Sequence, residues 1–340
     1  MFFLLDDGSI RDEQRRLVYC SPDRFLAEIV EGGACFICGI QPGDADFNAE
    51  HVLPNWIIKR YGLQNDLINL PNDEGHRYTG YKIPCCKSCN SFMGDTFEVP
   101  ISELFDRGYE ALVEHLRQEG PLRLFTWLNL IFLKAHLRDK MLPLHLDRRR
   151  GSEALSNSYR WEELHHIHCV ARSFYSHATL TPSAYGSLLV LPAQIAAPYT
   201  QFDYKDSYQA QTLLLRMGGV AVLTVLNDAC AVVNAAQGLL ARINAPLSPL
   251  QLREVFAHLA YINLSLEHRP EFITNAKAQT NELLITCQHP DKVSLKPYEP
   301  AALGQIMLEC VQDYLDFYNL TIDRDAISQG RWTFLPSPGP

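Results

Sequence analysis

Cys35-Phe36-Ile37-Cys38, Glu50-His51-Val52-Leu53-Pro54 and Cys85-Cys86-Lys87-Ser88-Cys89-Asn90 stand close together near the start of this 340-residue chain. Cys35-x2-Cys38 and Cys86-x2-Cys89 are two paired knuckles. Four thiolates converging on one ion is how structural zinc is held, tetrahedral and closed to water. Two knuckles of this spacing predict a tetrathiolate zinc site on Cys35, Cys38, Cys86 and Cys89. Cys85 can stand in for Cys86; Cys86 is preferred because its spacing to Cys89 gives the tight knuckle. The intervening residues 39–85 are more than a simple zinc ribbon uses, so they predict a structure of their own. A zinc joining the knuckles draws Glu50-His51 towards Asn90. A strand ending near His51 then faces a helix over Lys87–Glu98 whose first turns carry Asn90. Carboxylate, imidazole and amide line one surface.

The remaining cysteines, Cys20, Cys169, Cys230, Cys287 and Cys310, are scattered singly. Secreted disulfide frameworks are shorter and denser. Paired clusters plus isolated thiols predict a cytoplasmic protein with one metal site and small buried cysteines elsewhere. Hydrophobic residues make up 47% and charged residues 20%, which excludes wholesale disorder. The formal charge of −9 argues against coating nucleic acid through overall charge, so phosphate contact needs a local basic patch or a metal. The start, Met1–Leu5, is too short for a secretory leader. The longest apolar stretch, Gly218–Leu240, carries Asn227, Asp228, Asn234 and Gln237, which a membrane span would not tolerate. It reads as a hairpin of Gly219–Leu226 and Ala229–Asn234 turning at Asn227-Asp228.

The pattern Cys35-x2-Cys38, Glu50-His51, Cys86-x2-Cys89-Asn90 resembles the HNH, or ββα-metal, endonuclease superfamily, and within it the zinc-knuckle members such as phage resolvase-type nucleases. The resemblance covers about residues 33–99. It implies a ββα finger with structural Zn²⁺ and one catalytic Mg²⁺ or Mn²⁺. It makes His51 the general base, with Glu50 and Asn90 holding the cation. It departs from the family at Glu50, where Asp is usual, and at Asn90, where His is common. The middle Asn of the family name falls on Asn69 or Asn72. The chemistry asks for the same types: phosphodiester hydrolysis wants a base near neutral pH and a hard cation with oxygen ligands.

The expected organisation is α+β: a lead-in over 1–32, a small zinc-stabilised ββα-metal finger over 33–100, a larger α+β domain over 101–334, and a flexible tail over 335–340. Helices are expected at Pro22–Val30 after the Ser21 cap, Asn55–Gly62, Ser102–Glu119, Leu122–Asp139, Arg160–Ser176, from Ser248-Pro249 to about Glu267, and Glu299–Tyr318. Strands are expected at Gly186–Pro192, Thr212–Met217 and Glu282–Gln288. The expected function is hydrolysis of DNA, double-stranded by preference, by a cytoplasmic HNH endonuclease. A setting in phage defence or a mobile element follows from the resemblance alone. Lys59, Arg60, Lys82 and Lys87 are the candidate DNA contacts. The basic run Lys134, Arg138, Lys140, Arg148, Arg149 and Arg150 can follow a phosphate backbone or be a solvated connection. Glu98 and Asp95 can support the cation, and His76 can touch phosphate. His165, His168 and Cys169 have helical metal-ligand spacing but no second ligand group nearby, so packing is the stronger reading. The C-terminal domain is expected to restrain or target the nuclease through self-association or a partner protein. The rival readings are a catalytically silent zinc module binding nucleic acid or protein, and an RNA-directed nuclease.

Overall fold

The computed structural model describes residues 1–70, 72, 75–145, 147–195, 200–277 and 280–336. The chain opens with β1 (Phe3–Leu4), β2 (Ile10–Arg11) and β3 (Leu17–Tyr19), an antiparallel sheet. Ser21 Oγ accepts the Arg24 amide and starts α1 (Pro22–Arg24), which runs on as a π-helical segment over Phe25–Glu31. Next come β4 (Phe47–His51), α2 (Asn55–Arg60), β5 (Leu67–Asn69), β6 (Gly75–Arg77) and β7 (Lys82–Cys86). β7 enters α3 (Lys87–Met93) directly, and a π-helical segment, Gly94–Glu98, leads to α4 (Val99–Asp106). The helix expected over Ser102–Glu119 is broken: Gly108, at φ 85°, separates α4 from α5 (Tyr109–Glu119). A left-handed residue cannot continue a right-handed helix.

α6 (Leu122–Asp139) has the expected bounds. The helix expected over Arg160–Ser176 begins as a 3₁₀ turn and becomes α7 (His165–Ala171) and α8 (Ser173–Ser176). Then follow β8 (Thr179–Leu180), β9 (Leu188–Pro192), β10 (Phe202–Ser207), β11 (Thr212–Met217) and β12 (Val220–Val225). The hairpin is β11–β12, turning at Gly218 with φ 59°, not at Asn227-Asp228. Asp228 instead accepts from the Ser187 and Val232 amides at the start of α9 (Ala231–Ala235), where the second strand was expected. A short polar side chain captures free helix-end amides as readily as it makes a turn. α10 (Gln237–Leu240) and α11 (Pro249–Leu264) follow, and Ser248 with Gln251 forms a capping box on α11. β13 (Glu271–Lys277), β14 (Glu282–Gln288), α12 (Pro300–Phe317) and α13 (Arg324–Ser328) complete the chain.

The fold is mixed α+β and divides into two compact units. Unit 1 takes Met1–Glu103, Pro121–Pro182 and Phe272–Thr286. It holds every candidate nuclease residue. β4, β7 and α3 are part of this larger body rather than a discrete finger. α6 runs through its core: fifteen of its side chains are buried, Lys134 and His136 among them.

Unit 2 takes Leu104–Gly120, Ser183–Glu271 and Cys287–Pro340. Its sheet has the order β10-β11-β12-β9, antiparallel throughout. α11 contributes Leu252, Val255, Phe256 and Leu259 to the core over this sheet, and α12 contributes Met307, Val311 and Leu315. The apolar faces of α11 and α12 are thus buried in the unit's own core, as amphipathic helices usually are. Arg253 of α11 makes a buried ion pair with Asp203 of β10. The tail is anchored where it begins: Leu335 is buried and its amide donates to Glu254. Residues 337–340 of the expected loose tail lie outside the described residues. Among the described residues no helix is long and apolar enough to cross a membrane.

Candidate metal centre and active site

The first knuckle is a tight turn. The Cys35 amide donates to the Ile40 carbonyl, and the Gly39 amide donates back to the Cys35 carbonyl. Gly39 sits at φ 74°, a backbone conformation that favours glycine, and a Cβ there would lie 2.7 Å from Leu17 Cδ2, which would have to move aside. The turn is gripped from α7. His168 Nε2 lies 3.0 Å from the Phe36 carbonyl, and Arg172 donates to the carbonyls of Ile37 and Leu17. The expected bland role of the histidine cluster is therefore the structural one for His168. His165 lies 2.8 Å from the Cys20 carbonyl.

The second knuckle is the junction of β7 and α3. Cys86 ends the strand and precedes the first helical residue, which places Cys89 in the first turn. The four Sγ atoms of Cys35, Cys38, Cys86 and Cys89 lie within 4.8 Å of one another, with Cys38 and Cys86 at 3.6 Å. A tetrahedron with Zn–S bonds of about 2.3 Å has S···S edges of about 3.8 Å, so the donor set and its spacing fit a metal such as zinc. Cys85 Sγ lies 3.7 Å from Cys35 Sγ but is outside this group of four. Hydrogen bonds from Cys38, Cys85 and Cys89 hold the Cys35 thiol far below its usual range. Donating to that sulfur pushes Cys38 up to about 12 and drives Cys85 and Cys89 higher still. A divalent ion is what allows four neighbouring thiols to ionise together.

β4 and β7 form an antiparallel ladder that pairs His51 with Lys82, Glu50 with Ile83 and Phe47 with Cys86. Successive strand residues face opposite sides, so Glu50 and His51 diverge. Glu50 points inward. Its Oε1 accepts from Lys134 Nζ at 2.7 Å, and the two side chains are 7% and 2% exposed. The same ammonium donates to the His51 carbonyl at 2.8 Å. Glu98 shares this buried environment: burial raises its pKa, the Glu50 charge adds to the rise, and Lys134 opposes it. Glu50 is thus committed to an internal ion pair. As arranged, the residues do not fit a carboxylate-held Mg²⁺ or Mn²⁺. Among the described residues, the four cysteines are the one group of three or more His, Cys, Asp or Glu side chains close enough to share a metal.

His51 is half-buried at the end of β4. Burial lowers its pKa most, the Lys82 charge lowers it further, and Glu50 opposes both. The imidazole is therefore neutral at pH 7 and able to accept a proton. Asn90 donates from Nδ2 to Asn48 Oδ1 at 2.8 Å, which ties the first turn of α3 to β4. Asn48 was not among the candidates; its place two residues before Glu50 on a strand was the available signal. Asn72 donates to the Pro143 and Leu144 carbonyls, a loop-holding role, while Asn69 is exposed on β5.

Of the candidate DNA contacts, Lys59 is exposed on α2. Arg60 stacks over Trp56 at 4.5 Å and donates to Ser102 Oγ. Lys82 is half-buried opposite His51. Lys87 pairs with Asp46 at 3.0 Å on the surface. The basic run does not form one phosphate track: Lys134 is buried, Lys140 pairs with Glu31 and Arg149 with Asp147. His76 packs edge-on to Tyr81. No protein-family model, curated protein or solved structure matches the chain.

Proposed function

We propose that the chain is an HNH-type endonuclease that hydrolyses DNA phosphodiester bonds, with His51 as general base and a structural zinc on Cys35, Cys38, Cys86 and Cys89. The observation that carries this reading is the ladder of β4 with β7. It sets a neutral, half-buried imidazole on the strand next to the one that enters the Asn90 helix, with the four thiols at that junction. A bare zinc knuckle has no need of such an imidazole. His51 takes the proton of the attacking water. Burial, helped by the Lys82 charge, keeps the imidazole neutral, and Lys82 with exposed Lys59 supplies positive charge for a phosphate. Asn48 and Asn90 hold β4 and α3 in register. The Glu50–Lys134 pair supports the backbone under His51.

The test is incubation of full-length protein with plasmid and with RNA, each with Mg²⁺, Mn²⁺ or a chelator, beside His51→Ala. Cleavage of plasmid that is lost in His51→Ala supports the proposal. Undiminished cleavage by His51→Ala sinks it. The closed Glu50–Lys134 pair favours a second reading, a catalytically silent zinc module that binds nucleic acid or protein. Mobility shift of DNA without cleavage under any cation would select it.

A further inference from the structure

Five thiols, not four, gather where β7 meets the first knuckle. Cys38 Sγ lies 3.6 Å from Cys86 Sγ, and Cys35 Sγ lies 3.7 Å from Cys85 Sγ. Both separations match the S···S edge of about 3.8 Å in a tetrathiolate zinc site. Cys85 and Cys86 are consecutive on β7 and both buried, paired in the ladder with Asn48 and Phe47. Successive residues of a strand face opposite sides, and the first knuckle meets both of them. Cys85 stands outside the group of four whose sulfurs all lie within 4.8 Å of one another. It therefore touches one ligand of the centre while belonging to neither knuckle. A cysteine that only filled core volume on this strand would need no sulfur neighbour.

We propose that Cys85 is the reserve ligand of the metal centre: it takes the coordination position of Cys86 when that sulfur is lost, so that either neighbour completes a four-thiolate site. In the resting arrangement the Cys85 S–H donates to the Cys35 thiolate, as outer-shell hydrogen bonds to metal ligands do. When Cys86 leaves the ion its sulfur takes up a proton, and the Cys85 thiol gives one up. The exchange breaks one metal–sulfur bond, forms another and releases no net proton. A chain that lacks the Cys86 sulfur releases the Cys85 proton to solvent as the metal binds. Cys86 is the last residue of β7, so the exchange moves the strand end and leaves the ladder pairs from Pro84 to Lys82 in place. This inference rests on the zinc assignment, not on the chemistry of His51.

The test uses full-length protein. Loading with Co²⁺ gives a sulfur charge-transfer absorbance that counts bound thiolates, and Zn²⁺ competition against a chelator gives affinity. An even quarter of the apparent binding energy of structural zinc makes one lost ligand worth about 10²–10³-fold in affinity. Cys89→Ser, whose neighbours Ser88 and Asn90 offer no thiol, is expected to show that loss. Cys86→Ser and Cys86→Ala are expected to keep the four-thiolate spectrum and to bind less than about tenfold more weakly than the parent. Cys85→Ser is expected to keep four thiolates as well. The double variant Cys85→Ser/Cys86→Ser is expected to drop to three thiolates and to fall by the full factor. A three-thiolate spectrum in both Cys86 variants, or a loss of metal equal to that of Cys89→Ser, overturns the proposal. So does a double variant that binds no more weakly than Cys86→Ser. Failure of both Cys86 variants to fold beside a folded Cys85→Ser overturns it too, because a reserve ligand restores the site. A parent chain that binds neither Co²⁺ nor Zn²⁺ removes the zinc assignment and this inference together, whereas a four-thiolate parent confines any failure to Cys85.

Discussion

Lys134→Met is the most informative single change in unit 1. Its methylenes cross the core on α6, and its ammonium meets Glu50 Oε1 and the His51 carbonyl. Methionine keeps the stem's volume and removes the charge, leaving the Glu50 carboxyl buried without its cation. Breaking a buried pair by deleting one partner costs about 3–5 kcal/mol. An independent route gives a similar figure. A carboxyl that cannot stay ionised must take a proton, and loading one at pH 7 onto a group of ordinary pKa 4.5 costs about 3.4 kcal/mol. The sign follows from linkage. In the variant the folded state binds more protons than the unfolded one, so its deficit grows above the ordinary carboxyl pKa and shrinks as pH falls towards it. Urea unfolding is expected to show Lys134→Met about 4–5 kcal/mol less stable at pH 7 and about 1–2 kcal/mol less stable at pH 5, the lost bond to the His51 carbonyl contributing at both. Adding Glu50→Gln is expected to recover most of the pH 7 loss. A deficit under about 1 kcal/mol, or one that does not change between these pH values, would refute the argument that the Glu50–Lys134 pair stabilises the core.

Elemental analysis of purified protein is expected to give about one zinc per chain, and Cys89→Ser to lose it together with the near-ultraviolet dichroism of unit 1, since structural zinc contributes about 10–16 kcal/mol in finger peptides; zinc-free protein with an intact fold would contradict this. His51→Ala is expected to keep fold and zinc but lower plasmid cleavage by about 10²–10⁴-fold. In the parent the acid limb of the cleavage profile is expected below pH 6.5, the ordinary His value, and Lys82→Met is expected to move it upward, because the Lys82 charge helps to depress the imidazole. Burial holds His166, stacked on Phe272, down at about 3. Stability is therefore full above the unfolded value of 6.5 and is lost as pH falls below it. His166→Gln is expected to remove about 1.4 kcal/mol of the stability difference between pH 7.5 and pH 5.5, read from urea midpoints, and an unchanged difference would reject a neutral buried imidazole.

A 1–100 fragment would lack α6 and α7, and with them Lys134, His168 and Arg172, the groups that hold Glu50, the His51 carbonyl and the first knuckle. It is expected not to fold, so these tests use the whole chain.

Local chemistry was legible in the residues themselves. Knuckle spacing picked the four thiols, the apolar period of α6 gave its bounds, and the cap at Ser248 placed the start of α11, which ends three residues before the expected Glu267. A strand ending at His51, then a helix bearing Asn90, could be read ahead because each depends on neighbours in sequence. Position 108 was misread because a glycine inside a helical pattern breaks or continues it according to its φ. The hairpin moved upstream because both Gly218 and Asp228 are competent turn residues, and packing chose between them. Only the tertiary structure decided the partner of Glu50. Lys134 lies 84 residues away and reads locally as one member of a basic run. The same holds for His168 and Arg172 on the knuckle carbonyls. Spacing along a chain encodes which side chains share a turn or a strand face. Which distant charge is buried against which is settled by the cost of leaving either one unpaired, and that cost exists only once the core has closed.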